Sequence, residues 1–532
     1  MAVFDHERLL RLFRILSVLL VAIVTIRVAW ISDDALITLR TALNISHNWG
    51  PGFNATESVQ AYTHPLWFLL WVWVGTWTNQ WMLGIIAVST VFVAIATWIV
   101  VQRATTLARL TVVVAFLLLS NAFIDFTTSG LENPLSYAGV AVLMALSLRR
   151  FDASTTPVWW PILIGLTAAS VFLTRMDFLV LITIPIAALL WEFRRSFRFL
   201  VVTLSALLLP LTLWFVWTYL TYASLLPNTF AAKTNADIPR SEFIVQGMRY
   251  LWVSFENDPV TLIGLSIGIG LGITFGPRVL RTWAFGALAY VAYVVWIGGD
   301  FMGGRFLSVP FFVAIFILAA SPLARPQPTH EQQGGLTLAA SFAAVAVLVG
   351  AAYVSGIQTT ALANPQAPRW ELDQNFNAGI VDARGSSVAD GDSLKGLVDK
   401  LSLAFVDPDI APIGDGTGLG RDLRSLDKAA RNWPVNDGSF TRPSEVGVFC
   451  GYLGNIGIAT GPITHLIDYC ALTDRYLAEK PFVPAEPFAW KPGHFDREVT
   501  DDYVDAVATN DPMKMRDTAE AFRLRELWEK IR

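Results

Sequence analysis

Two adjacent carboxylates, Asp33 and Asp34, stand directly after an apolar stretch that ends at Trp30. Paired acids can act as a general base or as a nucleophile in sugar transfer. Alternatively, one of them only accepts hydrogen bonds from the first turn of the helix that ALITLR begins, because Asp is favoured at that position. The acid pair alone does not decide between catalysis and helix capping.

The acid pair lies near the start of a segment, residues 32–81, that is rich in side chains able to bind ligands. Arg40 could hold a phosphate, since guanidinium groups pair well with phosphate oxygens. Glu57 and His64 could orient sugar hydroxyls, although one histidine by itself does not indicate catalysis. This mixture beside an apolar wall suits the handling of a lipid-linked sugar phosphate.

Two later segments add charge between apolar runs. GGDFMGGRF, residues 298–306, places Asp300 and Arg305 in a glycine-rich turn, where the backbone could approach a ligand closely. Taken alone, the four glycines favour the simpler interpretation, a tight helical hairpin with an internal ion pair. PNTFAAK brings Asn228 and Lys233 together, and the lysine could bind phosphate or simply be solvated near lipid headgroups.

Three further charged residues have simpler explanations. Arg175 and Asp177, in TRMDF, are typical of a surface ion pair. Glu132 could favour the start of the helix that follows it.

The composition indicates a polytopic α-helical membrane protein and excludes a soluble fold. The chain has 532 residues, of which 54% are hydrophobic and 15% charged. Lys and Arg clusters fall on one side when about eleven spans are assigned, which predicts a cytoplasmic amino terminus and an outer face that carries the acids. The predicted spans are about 13–31, 82–102, 105–122, 133–148, 157–173, 178–193, 199–222, 260–276, 282–297, 306–320 and 335–355.

The run Pro65 to Trp77 is short and rich in Trp, and we interpret it as a helix that lies in the outer interface. Counting it as a span would place every later basic cluster outside, against the positive-inside rule.

The chain divides into two parts of different charge. Residues 1–356 carry 16 acidic and 20 basic side chains, whereas residues 357–532 carry 27 acidic and 19 basic ones. We therefore predict a transmembrane domain, 1–356, with a first outer loop at 32–81, and a soluble outer domain of mixed α/β structure, 357–532. Cys450 and Cys470 would pair as a disulfide outside the cytoplasm, or remain two buried thiols.

Several segments together resemble a known family. An acidic pair after the first span, an interfacial helix in the first outer loop and an outer carboxy-terminal domain resemble the GT-C class of polyprenyl-phosphate-dependent glycosyltransferases. DDALITLR, YTHPLW, PNTFAAKT, GGDFMGGRF and GPITHLIDYCALTD together resemble the AftB family of terminal arabinofuranosyltransferases.

The resemblance implies transfer of an arabinofuranosyl unit from decaprenyl-phosphoryl-arabinose to arabinan, in arabinogalactan and lipoarabinomannan, with terminal β-(1→2) linkages. It implies a bacterial plasma membrane location, with the active site and the carboxy-terminal domain on the periplasmic side. The expected partners are the lipid donor, the arabinan acceptor and the bilayer, with no nucleic acid.

The acidic motif of the class maps onto Asp33 and Asp34, one of which would be the catalytic carboxylate. The other roles are inferred from chemistry. The residues expected to neutralise the donor phosphate are Arg40, Lys233 and Arg305, and those expected to bind sugar are Glu57, His64, Asn228 and Asp300.

Some alternatives stay open from the sequence. Direct displacement inverts the anomeric centre, whereas retention needs a covalent intermediate or same-face attack. The many acids could hold a divalent cation, but no ligand spacing argues for one. Another GT-C enzyme that moves mannose or makes a different arabinose linkage would share the acidic loop. A transporter of lipid-linked glycan would show inverted repeats and polar residues in mid-span, and neither is found.

Overall fold

The computed structural model describes residues 6–149, 156–322, 379–385 and 423–518. Up to residue 322 the described chain is almost entirely helical. Its helices are α1 His6–Arg27, α2 Asp33–Ser46, α3 Pro65–Thr78, α4 Trp81–Val101, α5 Leu107–Leu119, α6 Asn121–Asp125, α7 Asn133–Ser147, α8 Trp159–Thr174, α9 Phe178–Glu192, α10 Phe197–Tyr222, α11 Asn228–Thr234, α12 Arg240–Asn257, α13 Pro259–Thr274, α14 Arg278–Trp296 and α15 Arg305–Ala320.

The described carboxy-terminal part mixes helices and strands. Its elements are α16 Leu423–Arg431, β1 Glu445–Phe449, α17 Leu453–Thr460, β2 Thr464–Asp468, α18 Arg475–Ala478 and α19 Asp501–Ala508. The two strands are parallel and are joined by α17, so that they form a β-α-β unit. All five residues of β2 are buried, whereas β1 is partly exposed.

Apolar helices make up most of the first part and indicate a membrane protein. Four are long and apolar enough to cross a bilayer, namely α1 from Glu7, α4, α10 and α14, and six shorter apolar helices accompany them. These ten helices coincide with the first ten predicted spans. The predicted eleventh span, 335–355, and the predicted domain boundary at 356 lie outside the described residues, so the count of eleven stays a prediction.

Helix α15 is the centre of the bundle. Every side chain from Leu307 to Ala319 is buried, which is the pattern of a helix surrounded on all sides. It packs against α13, α14, α5 and α7. Helix α10 is its opposite, because large apolar side chains such as Leu209 and Leu213 are exposed along it, as expected for a helix that faces lipid.

One long helix was not anticipated. The sequence predicts a long outer loop after residue 222, but the structure places α12 there, at Arg240–Asn257. This helix is amphipathic and lacks a spanning apolar run, so the search for spans passes over it.

A layer of aromatic side chains joins the bundle to the carboxy-terminal part. Trp30, Trp67 and Trp71 are buried in one cluster that also contains Trp433 and Ile458. Trp433 donates its indole N–H to Asn44 of α2 at 3.2 Å. The two parts of the chain therefore share a core at the position of the first outer loop.

The two cysteines form a disulfide, with their Cα atoms 5.4 Å apart. Cys450 directly follows β1, and Cys470 lies two residues after β2. Because the carboxyl ends of paired parallel strands meet at one edge, these two positions lie close together.

Candidate active site

The acid pair lies in the first turn of α2, but neither acid caps that helix. Ser32 is the N-cap, and its hydroxyl accepts a hydrogen bond from the N–H of Ala35. The capping alternative considered for Asp33 and Asp34 is therefore wrong for α2. Both carboxylates are available for contacts with other elements.

Helix α2 has two polar faces that serve different neighbours. Asp34 and Thr38, four residues apart, share the face towards the helical bundle. Asp33 contacts the carboxy-terminal part, where its Oδ1 accepts a hydrogen bond from the N–H of Asn455 at 2.8 Å. Asn455 lies in the first turn of α17, whose N–H groups lack partners within the helix. Asp33 thus binds the start of a distant helix, and Asp34 faces the site.

Arg305, at the start of α15, is surrounded by three carboxylates. Its Nη1 lies 3.5 Å from Asp34 Oδ2 and 3.7 Å from Asp300 Oδ2, and its Nη2 lies 3.4 Å from Glu132 Oε1. The hairpin and ion pair expected for GGDFMGGRF both exist, but the arginine also reaches two other segments. Gly304 has a φ of +76° just before it, a conformation that favours glycine.

Glu132 is completely buried and links three side chains. Its Oε1 lies 3.2 Å from Arg175 Nη1 as well as close to Arg305, and its Oε2 lies 3.3 Å from His64 Nδ1. It makes no capping hydrogen bond at α7, so its predicted role at that helix start is not seen. His64 Nε2 lies 2.9 Å from Thr38 Oγ1, which connects the cluster back to α2.

Arg175 and Asp177 form a largely buried pair and not the surface pair that the sequence predicts. Asp177 accepts two hydrogen bonds from Arg175, at 2.9 Å and 2.6 Å, and a third from Tyr290 at 2.8 Å. Arg175 is 8% exposed. The pair thereby fixes the guanidinium that faces Glu132.

Burial and neighbouring charges perturb the acids in different directions. Burial raises the pKa of Asp33 to about 7, and the charge of Asp34 adds to the rise while the N–H of Asn455 opposes it. Burial alone would raise the pKa of Glu132, but the positive charges around it, Arg305 first, lower it to about 2. Burial lowers the pKa of His64 to about 4, so its imidazole is neutral at pH 7.

The structure places the predicted phosphate-binding residues in two locations. Arg305 lies in the cluster, and Lys233 is close enough for the charges of Asp300 and Asp34 to act on it. Arg40 lies elsewhere. Its guanidinium donates hydrogen bonds to the carbonyls of Gly461 and Thr464, at 3.1 Å and 2.7 Å, and so attaches α2 to the carboxy-terminal part.

The predicted sugar-binding residues are also divided. His64 and Asp300 lie in the cluster described above. The amide of Asn228 donates to carbonyls of residues 471, 472 and 474, which leaves it no free N–H for a sugar. Glu57 lies 3.4 Å from His465 Nε2 and accepts a hydrogen bond from Asn54 at 2.8 Å, away from Asp34.

Sequence reasoning missed parts of this site. Glu132 at its centre and the Arg175–Asp177 pair were assigned ordinary structural roles. Lys491, in the carboxy-terminal part, was not considered, although its ammonium lies 4.7 Å from the ring centroid of Phe301 in the glycine-rich turn. A buried acid between apolar spans is the signal that could have indicated Glu132.

Potential metal ligands do not gather at the acid cluster within the described ranges. Among the described residues, the three potential ligands that lie close enough together to share an ion are Cys450, Cys470 and Asp496. The disulfide withdraws both sulfurs from metal binding.

Comparison with curated proteins finds two relatives of this chain. The chain is 30% identical over 347 residues to the terminal beta-(1->2)-arabinofuranosyltransferase of Mycobacterium tuberculosis, covering 56% of this chain and 53% of that protein. It is 29% identical over 339 residues to the protein of the same name from Corynebacterium glutamicum, covering 55% and 48%. The predicted resemblance to the AftB family is confirmed. Both names denote glycosyltransferases, the enzyme class that the sequence predicts.

The chain spans about half the length of these AftB relatives. No family model matches it, and no solved structure matches it.

Proposed function

We propose that the chain is a membrane glycosyltransferase that moves a D-arabinofuranosyl residue from decaprenyl-phosphoryl-arabinose to the non-reducing ends of cell-wall arabinan, forming terminal β-(1→2) linkages. The observation that carries the proposal is the position of Asp34. Its side chain is 27% exposed and lies 3.5 Å from the buried guanidinium of Arg305, at the ends of apolar helices. The names of the two relatives supply the sugar and the linkage.

This arrangement suits attack at a sugar that carries a phosphate leaving group. Asp34 is the acid of the pair that faces the cluster, whereas Asp33 is held by the N–H of Asn455. We therefore assign the chemical step to Asp34 and a positioning role to Asp33. Arg305, fixed by Glu132 and Asp300, sets the orientation of the Asp34 carboxylate and stabilises its negative charge.

Two routes are consistent with these groups. In direct displacement, Asp34 takes the proton of the acceptor 2-hydroxyl. The hydroxyl oxygen bonds to the anomeric carbon as the bond from that carbon to the phosphate breaks, with inversion. In the two-step route, an Asp34 oxygen first displaces the phosphate and forms an ester with the anomeric carbon. The acceptor hydroxyl oxygen then displaces the Asp34 carboxylate and passes its proton to the released phosphate, with net retention.

The proposed location is the plasma membrane of a bacterium, with the acid cluster on the periplasmic side. The apolar helices support membrane insertion, and the basic clusters of the sequence support this orientation. Arg194 and Arg195, which lie between α9 and α10, and Arg198, in the first turn of α10, would then face the cytoplasm.

The test is transfer by the purified protein in detergent, with a synthetic arabinan acceptor and two labelled donors, decaprenyl-phosphoryl-arabinose and decaprenyl-phosphoryl-mannose. We expect arabinose transfer only, with a 2-linked product on linkage analysis. Mannose transfer, or a different arabinose linkage, would assign the chain to another activity of the same enzyme class. A folded protein that transfers neither sugar would refute the proposal.

A further inference from the structure

A turn in the carboxy-terminal part reaches the acid cluster. This tight turn consists of Lys491, Pro492, Gly493 and His494. The N–H of His494 donates a hydrogen bond to the carbonyl of Lys491 at 3.0 Å. Pro492 occupies the second position and Gly493, with a φ of +77°, the third, which are the residues that a type II turn requires. We name this segment the KPGH turn.

The KPGH turn packs against the glycine-rich turn that carries Asp300 and Arg305. The Lys491 ammonium lies 4.7 Å from the ring centroid of Phe301, close enough for a cation–π interaction. The His494 ring meets the same phenyl ring edge-on, at 4.6 Å between centroids. Phe301 immediately follows Asp300, so these contacts hold the KPGH turn at the edge of the cluster.

The same turn also approaches Lys233. A Cβ built on Gly493 would lie 3.1 Å from Lys233 Nζ, so the glycine leaves just enough room for that ammonium. Lys233 comes from α11 and Lys491 from the carboxy-terminal part. Two segments distant in sequence therefore bring two ammonium groups to one side of the cluster.

The charges of the cluster are unequally paired. Arg305 already has three carboxylates around it, and Arg175 has two. In the part of the chain that the structure describes, neither Lys491 nor Lys233 has a carboxylate oxygen within 4.0 Å or donates a hydrogen bond from its ammonium. The charges of Asp34 and Asp300 nevertheless act on both lysines, which places them beside the site.

We propose that Lys491, together with Lys233, binds the phosphate of the polyprenyl-phosphate donor, and that the KPGH turn positions Lys491 for this purpose. The inference rests on the proposed function and adds a residue from the carboxy-terminal part to the donor site. An ammonium already near the acids, but not paired with one, can meet an arriving phosphate without first breaking an ion pair. The arginines, in contrast, hold the carboxylates in place.

The experiment measures binding of decaprenyl phosphate to the full-length protein in lipid nanodiscs, with uncharged decaprenol as the second probe. We expect Lys491→Met to weaken binding of decaprenyl phosphate about tenfold or more, because a hydrogen bond between charged groups is lost. Lys491→Arg should restore most of the affinity, and decaprenol binding should not change. The matched control is Lys514→Met, which removes an exposed lysine outside the cluster.

Kinetics with the complete donor distinguish a loss of donor binding from a loss of folding. If the protein transfers arabinose, Lys491→Met should raise the KM for the donor far more than it lowers kcat, with an unchanged thermal unfolding curve. An unchanged Kd and KM in Lys491→Met would overturn the inference. So would equal losses in Lys491→Met and Lys514→Met, or a wild type that does not distinguish decaprenyl phosphate from decaprenol.

The inference and the proposed function can fail separately. If decaprenyl phosphate binds in a Lys491-dependent manner but no arabinose is transferred, the phosphate site stands and the sugar assignment fails. If arabinose is transferred but Lys491 has no effect on the donor, the enzyme assignment stands and this residue assignment fails.

Discussion

Replacing Glu132 by glutamine should destabilise the protein more than the same replacement of an exposed glutamate would. Glu132 is completely buried, and its pKa is about 2 against an ordinary value of about 4.5, because the positive charges of its neighbours, Arg305 first, outweigh its burial. A difference of about 2.5 pKa units corresponds to about 3 kcal/mol of stability. Glutamine keeps the shape but leaves the two arginines without their shared charge.

The effect has a defined pH dependence. The folded-state pKa of Glu132 lies below the unfolded value, so its stabilisation is fully present above about pH 4.5 and is lost as the pH falls towards about 2. The difference between wild type and Glu132→Gln should therefore stay constant from pH 5 to pH 8.

Thermal unfolding in one detergent, followed by intrinsic Trp fluorescence, measures this difference. Glu256→Gln is the matched control, because Glu256 is exposed near the end of α12. We expect a clear fall in the unfolding temperature of Glu132→Gln and almost none in the control. If the two variants unfold at the same temperature, the assignment of Glu132 as the centre of the charge cluster is wrong.

Two further predictions concern the junction between α2 and the carboxy-terminal part, and a third concerns the disulfide within that part. Gly454→Ala should lower the unfolding temperature, by overpacking worth about 2 kcal/mol, because its Cβ would meet the backbone oxygen of Asp33; unchanged unfolding would contradict that contact. Arg40→Met should destabilise the protein without raising the KM for the donor, and a raised KM with normal unfolding would return Arg40 to the phosphate site. Replacing Cys450 and Cys470 by serine should cost about 3 kcal/mol, and reductant should reproduce the loss in wild type but not in the variant.

The positions of the apolar helices could be predicted because length and hydropathy are local properties. Each of the first ten predicted spans overlaps an apolar helix, and the largest displacement is that of the first span, 13–31, whose helix runs from Glu7 to Arg27. Helix α12 was missed because a search for continuous apolar runs does not find an amphipathic helix, which has one apolar and one polar face.

The site was predictable only in part, because its contacts join distant segments. The adjacent acids were evident, but their different contacts arise from the geometry of α2, which turns Asp33 towards Asn455 and Asp34 towards Arg305. Glu132 meets arginines 43 and 173 residues away, and no local pattern encodes such a pairing. Arg40 shows the converse, since a chemically suitable side chain in the right loop faces away from the cluster.

The central claim is that Asp34 performs the chemistry and Asp33 positions α2. Its most direct test is the kcat for arabinose transfer in Asp34→Asn and Asp33→Asn, each checked for folding and for donor binding. We predict a loss of a hundredfold or more in Asp34→Asn with donor binding retained, and a much smaller loss in Asp33→Asn. Full activity in Asp34→Asn, or a larger loss in Asp33→Asn, would contradict the account.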